Sequence, residues 1–98
     1  MISHVPLGVS DFERALAFYE RVLPELGLLR KFVEPERGWA GWVSPQAPRP
    51  LLLIGRPHDG APASPGNGQM TALLAPTRAA VDRAHAAALA AGGSCEGP

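Results

Sequence analysis

The sequence predicts an α+β fold of paired βαβββ modules, the second cut short after its helix. Three observations carry this expectation. An alternating apolar stretch, Ile2 to Val9, runs straight into an amphipathic helix closed by Gly27. Three more strand-like runs follow it before position 57. The strand and helix then return, without a gap, 66 positions further on. The chain is expected to be a single domain over 1–98, with a first module over about 1–57 and a partial second module over about 68–98. A chain of this length supports one hydrophobic core.

The first strand is set by its period of two. Val5, Leu7 and Val9 point to one side and should meet helices; Ile2, His4, Pro6 and Gly8 point to the other. Ser10 to Glu13 spells Ser-x-x-Glu, which predicts a capping box. The helix behind it carries Phe12, Ala15, Leu16, Tyr19, Val22 and Leu23 on one stripe. Pro24 stops it, because proline lacks the amide that the next turn needs, and Gly27 suits the exit turn. Leu28 to Glu34 predicts a second strand whose charges, Arg30, Lys31 and Glu34, belong at an edge or on a wet face. Glu36-Arg37-Gly38 predicts a hairpin turn, and Trp39 to Ser44 a third strand. Three prolines make Pro45–Pro50 a loop, and the apolar run Leu51–Ile54 predicts a buried strand. Arg56 to Gly68, rich in proline and glycine, is a long loop.

The second copy begins at Met70–Ala75, expected as a strand. Thr77 is the expected cap of a helix over Arg78–Ala91, with Val81, Ala84, His85, Ala88 and Leu89 inward and Gly92-Gly93 ending it. In the shifted alignment His4 falls on Met70, Tyr19 on His85, Leu23 on Leu89 and Gly27 on Gly93. The same shift carries the end of the first copy beyond Pro98, so three strands of the second copy have no sequence here. A sheet left incomplete exposes an edge that invites another chain.

Composition excludes several classes. The net charge is zero and the nine basic residues, eight of them arginine, are scattered, so no nucleic-acid footprint is present. No apolar run approaches the ~18 residues of a membrane span, and the N-terminus has no basic-then-apolar signal pattern. The single cysteine, Cys95, cannot form an internal disulfide, and a cytoplasmic protein is expected. Cys95 has no histidine beside it to activate it as a nucleophile.

With strand, capped helix and repeat in place, the chain resembles the vicinal oxygen chelate superfamily: glyoxalase I, the bleomycin-resistance proteins and the extradiol dioxygenases. The residues that carry the resemblance run His4-Val-x-Leu-x-Val-Ser-Asp-x-Glu-x-Ala-x-x-Phe-Tyr-x-x-Val-Leu, then Gly27-Leu28. Gly66-Asn-Gly, the Met70 strand and the Arg78–Gly93 helix extend it more weakly. The resemblance implies curved sheets around a cavity, usually completed by dimerisation. It also implies divalent-metal ligands at equivalent places in the two modules. His4 matches the first ligand position. Its copy is Met70, a thioether unsuited to a hard cation. The carboxylate implied on the fourth strand would fall within Leu51–Ile54, where every residue is apolar, and the last ligand position lies past Pro98. One histidine does not hold a catalytic metal, which takes about three protein ligands.

The site assignments follow. His4 is the one candidate metal ligand, set against a histidine satisfied by backbone or water. Trp39 and Trp42 face opposite ways on their strand, and Trp42, with Ala40, is taken as the cavity residue that stacks on a planar ligand. Tyr19 and His85 are packing residues of their helices, and His58, beside Asp59, belongs to a solvated turn with no nucleophile near it. Gly66-Asn67-Gly68 lacks the lysine and the strand–helix context of a phosphate loop. No catalytic residue is assigned. Three functions stay open. A metal-free pocket for a small apolar or aromatic molecule ranks first. Next is a divalent-metal-dependent lyase or dioxygenase of the glyoxalase type. A degenerate structural module is third. The expected partners are a small-molecule ligand and a second copy of the chain, without nucleic acid or membrane.

Overall fold

The computed structural model describes residues 2–64 and 69–94. The turn at Gly66-Asn67-Gly68 and the Cys95–Glu96 pair lie outside them. Six regular elements follow in order: β1 (His4–Gly8), α1 (Phe12–Val22), β2 (Leu29–Glu34), β3 (Trp39–Val43), β4 (Leu51–Gly55) and α2 (Arg78–Ala90), with a 3-10 turn over Leu23–Leu26 after α1. The strands form one sheet in the order β1-β4-β3-β2. β1 runs parallel to β4, while β3 is antiparallel to both β4 and β2. The apolar run predicted to be buried, β4, is therefore one of the two strands paired on both sides. The charged strand β2 sits at an edge, where its side chains reach water.

Helix α1 covers one face of the sheet. Phe12, Leu23, Ala40, Trp42, Leu52 and Ile54 form the core, with Val5, Leu7, Val9, Ala15, Leu16 and Tyr19 packed around it. Each fully buried side chain of this size contributes about 1.5–3 kcal/mol by leaving water. The helix ends where Pro24 opens the 3-10 turn, and Gly27 closes that turn at φ 81°. Gly38 does the same for the β2–β3 hairpin: at φ 70° its amide donates to the Glu34 carbonyl at 2.9 Å.

The start of α1 differs from the expected capping box. Asp11 caps the helix, its carboxylate accepting from the Arg14 amide at 3.1 Å. The Ser10 hydroxyl is occupied elsewhere: it accepts from the amide of Ala63 at 2.7 Å and ties the long loop to the end of β1.

The second-copy strand also differs. Met70–Ala75 forms no strand, and Met70 and Leu74 are 88% and 95% exposed. A strand exists only by pairing, and this segment lies on neither edge of the described sheet. Thr77 does cap α2, accepting from the Ala80 amide at 3.0 Å. The buried face of α2 is turned from the expected one, however. Ala80 and Ala84 are inside, while Val81, His85 and Leu89 face out. Small alanines let α2 lie close against α1 and the 3-10 turn, and Arg83 pairs with Glu25 at 3.0 Å across that contact. The stripe that matches the sheet-facing side of α1 has no described sheet to cover.

Candidate functional site

Strand register sorts the side chains between two faces. Val5, Leu52 and Trp42 form one row, and Leu7, Ile54, Ala40 and Val33 the next; both face α1. The opposite face carries His4, Leu51, Val43 and Leu29, then Pro6, Leu53, Gly41 and Phe32, then Gly8, Gly55, Trp39 and Glu34. No described helix covers it. An irregularity between Arg30 and Phe32 inserts Lys31 as an extra residue, which puts Arg30 on the helix side and Phe32 on the open side. Arg30 there meets Glu20 of α1 at 2.6 Å.

His4 lies on the open face, as the alternation predicts, and is exposed. Its Nδ1 is 3.3 Å from the Ser3 hydroxyl. Across the sheet its row continues through Leu51, Val43 and Leu29, all aliphatic. The next β4 residue on that face is Leu53. No carboxylate, thiolate or second imidazole joins His4, and no group of three such side chains gathers among the described residues. A divalent ion does not fit this donor set.

Trp42 is corrected by the register. It faces α1, 1% exposed, with Tyr19 at 6.2 Å between ring centroids. It borders an apolar hollow of about 670 Å³ under residues 71–76, but a ring so buried has no free face for a planar ligand. Trp39 is the tryptophan on the open side. It meets Phe32 edge-on at 6.1 Å and 87°, and the Arg37 guanidinium lies 5.7 Å from its ring centre.

A trough of about 540 Å³ lies at the end of the sheet farther from His4, where residues of the open face meet Leu7 and Ile54 of the α1-facing row. Two glycines paired in register, Gly8 and Gly55, belong to its floor, with Trp39 third in the row. Pro6 and Leu53 bound it toward the middle of the sheet, and Arg37, Arg56 and His58 contribute its polar groups. Gly41 explains the shape of the middle. A Cβ there would come within 2.5 Å of Phe32 and 2.8 Å of Leu53, so only glycine lets the Phe32 ring lie flat across the strand.

His58 is thus at the trough and exposed, while the Asp59 carboxylate accepts from the Ala61 amide at 2.9 Å. His85 is exposed on α2, not packed. Tyr19 is a packing residue, as expected, and burial raises its phenol above the ordinary 10.0. The trough was not legible in the sequence. Gly8 and Gly55 share the parity of His4 and Leu51, which was the available signal; the parity of β3 was not.

Comparison with known proteins agrees with this architecture. No curated protein matches the chain. Among solved structures it is similar to a glyoxalase/bleomycin resistance protein from Albidiferax ferrireducens T118. The two are 33% identical with a TM-score of 0.84, over all of this chain and 76% of that one. The family profile of the glyoxalase/bleomycin resistance protein/dioxygenase superfamily matches residues 1–98. By that match, and by the strand–helix–three-strand order of its first 55 residues, the chain belongs to the glyoxalase/bleomycin resistance protein/dioxygenase superfamily.

Proposed function

We propose that the protein binds a small aromatic molecule on the open face of its sheet, without a complete metal site, and works as a homodimer in the cytoplasm. The observation that carries the reading is the trough beside Trp39: a concave, mostly apolar surface with a few polar groups, of a size suited to a small ligand. The row of aliphatic residues beside His4 argues against metal-dependent catalysis by the described residues. The exposed Met70, Leu73 and Leu74, together with the outward stripe of α2, supply apolar surface for a second copy.

The test is made on the purified chain. After dialysis without chelator, elemental analysis is expected to find nickel, zinc, iron and manganese well below one per chain; a tightly bound stoichiometric ion would sink the metal-free reading. Calorimetric titration with 2-naphthoate and with its uncharged counterpart 2-naphthalenemethanol is expected to show saturable binding of at least one. Saturation by neither would leave a structural module as the better description.

A further inference from the structure

We propose that the trough takes a small aromatic carboxylate, its ring against Trp39 and its charge held by Arg56 and Arg37. This rests on the ligand-binding reading above and names the chemistry of the ligand.

Of the ionic side chains that line the trough, Arg37 and Arg56, both are cationic; His58 lines it too, and Glu34, at the end of the Trp39 row, is paired with Arg37. Arg56 makes no ion pair among the described residues. It is nonetheless held in place. Its amide donates to the Gly38 carbonyl at 3.2 Å, and its guanidinium carbon lies 5.8 Å from the Phe12 ring centre. The guanidinium also rests against Gly38, where a side chain would strike it. A planar fork that is positioned but unpaired suits a carboxylate, which it can meet through two parallel hydrogen bonds.

Arg37 is the second cation. Its partner Glu34 is 3.4 Å away and both side chains are open to solvent, so the pair is weak and the guanidinium can turn to an incoming anion. The ring end of the ligand has its own surface. Trp39 offers a partly open indole beside the glycine floor, and Phe32 stands edge-on behind it. A Cβ at Gly55 would lie 3.4 Å from Cβ of Trp39, so a side chain there would take the space next to the indole. The trough thus sets a flat apolar ring surface and two guanidinium groups in one hollow, one of them, Arg37, directly beside the indole.

Calorimetry with the same two probes tests this, because they share a ring system and differ in charge. The protein is expected to bind 2-naphthoate at least about tenfold more tightly than 2-naphthalenemethanol, the scale of one charge-assisted contact. Salt at about 1 M, where the Debye length is ~3 Å, should erode that preference. Arg56→Gln should remove most of it and Arg37→Gln part of it. Neither should lower the melting temperature appreciably, since both side chains are exposed and the Arg56 amide bond to Gly38 remains. Equal affinity for the two probes overturns the anion inference and leaves the ligand-binding reading standing. A preference kept in the Arg37→Gln/Arg56→Gln double variant overturns the assignment of the charge to these arginines. Binding of neither probe removes both readings.

Discussion

Trp39 and Trp42 are three residues apart and live in opposite surroundings, which makes them a direct test of the two faces. Trp42 fills the core beside Tyr19. Trp42→Ala should cost about 3–5 kcal/mol, read as a large fall in denaturation midpoint, because the cavity left behind cannot collapse fully. Trp39→Ala should cost about 1 kcal/mol, since that ring is only partly covered, yet should weaken aromatic ligands strongly. Loss of binding with Trp39 intact, in a Trp42 variant that still folds, would reverse the roles argued for the two rings. Tyr19 gives the pH dependence. Burial raises its pKa, so the folded state prefers the neutral phenol. Its contribution is fully present below the ordinary value of 10.0 and is lost as pH climbs from there through the folded-state value. Denaturant midpoints should accordingly fall on the alkaline side of pH 10, and Tyr19→Phe should flatten that decline.

Among the elements, α1 separates two neighbouring oxygens that the sequence offers as caps. Asp11 holds the helix start and Ser10 holds the loop at Ala63. Asp11→Ala is expected to destabilise the protein by about 1 kcal/mol, the usual worth of a helix cap. Ser10→Ala should leave helix stability nearly unchanged and instead speed hydrogen exchange at Ala63. A slower Ala63 amide, or a larger loss at Ser10 than at Asp11, would favour the capping box after all. Helix α2 carries the complementary lesson. Its alanines pack inward and its Val81, His85 and Leu89 stripe faces out, although the repeat aligns that stripe with the sheet-facing side of α1. A helix buries whichever face meets a partner, and here the available partners are α1 and the 3-10 turn.

For the whole molecule, the first module has its sheet, helix and core, while of the second the described residues form only a helix. Leu73 and Leu74 are 42% and 95% exposed ahead of that helix, an apolar surface that the proposed second copy would cover. The chain should elute as a dimer at micromolar concentration, and Leu73→Lys with Leu74→Lys should shift it to monomer. A wild-type chain that stays monomeric by light scattering at high concentration would end the homodimer proposal.

The sequence by itself determined the elements whose signals are local. Alternation placed β1 and the side of His4; the apolar stripe and Pro24 set α1 and its end; Gly27 and Gly38 marked turns at positive φ; the run Leu51–Ile54 announced an internal strand. These follow from periodicities and backbone limits that a residue carries with it. The tertiary structure alone decided which tryptophan faces the trough, which oxygen caps α1, which side of α2 is buried and that Met70–Ala75 stays unpaired. Each of those depends on a partner distant in the chain. The side of Trp39 is set by its pairing with Gly55, and that pairing also makes the two glycines and the indole one surface. A strand has two equivalent sides until its neighbours choose between them.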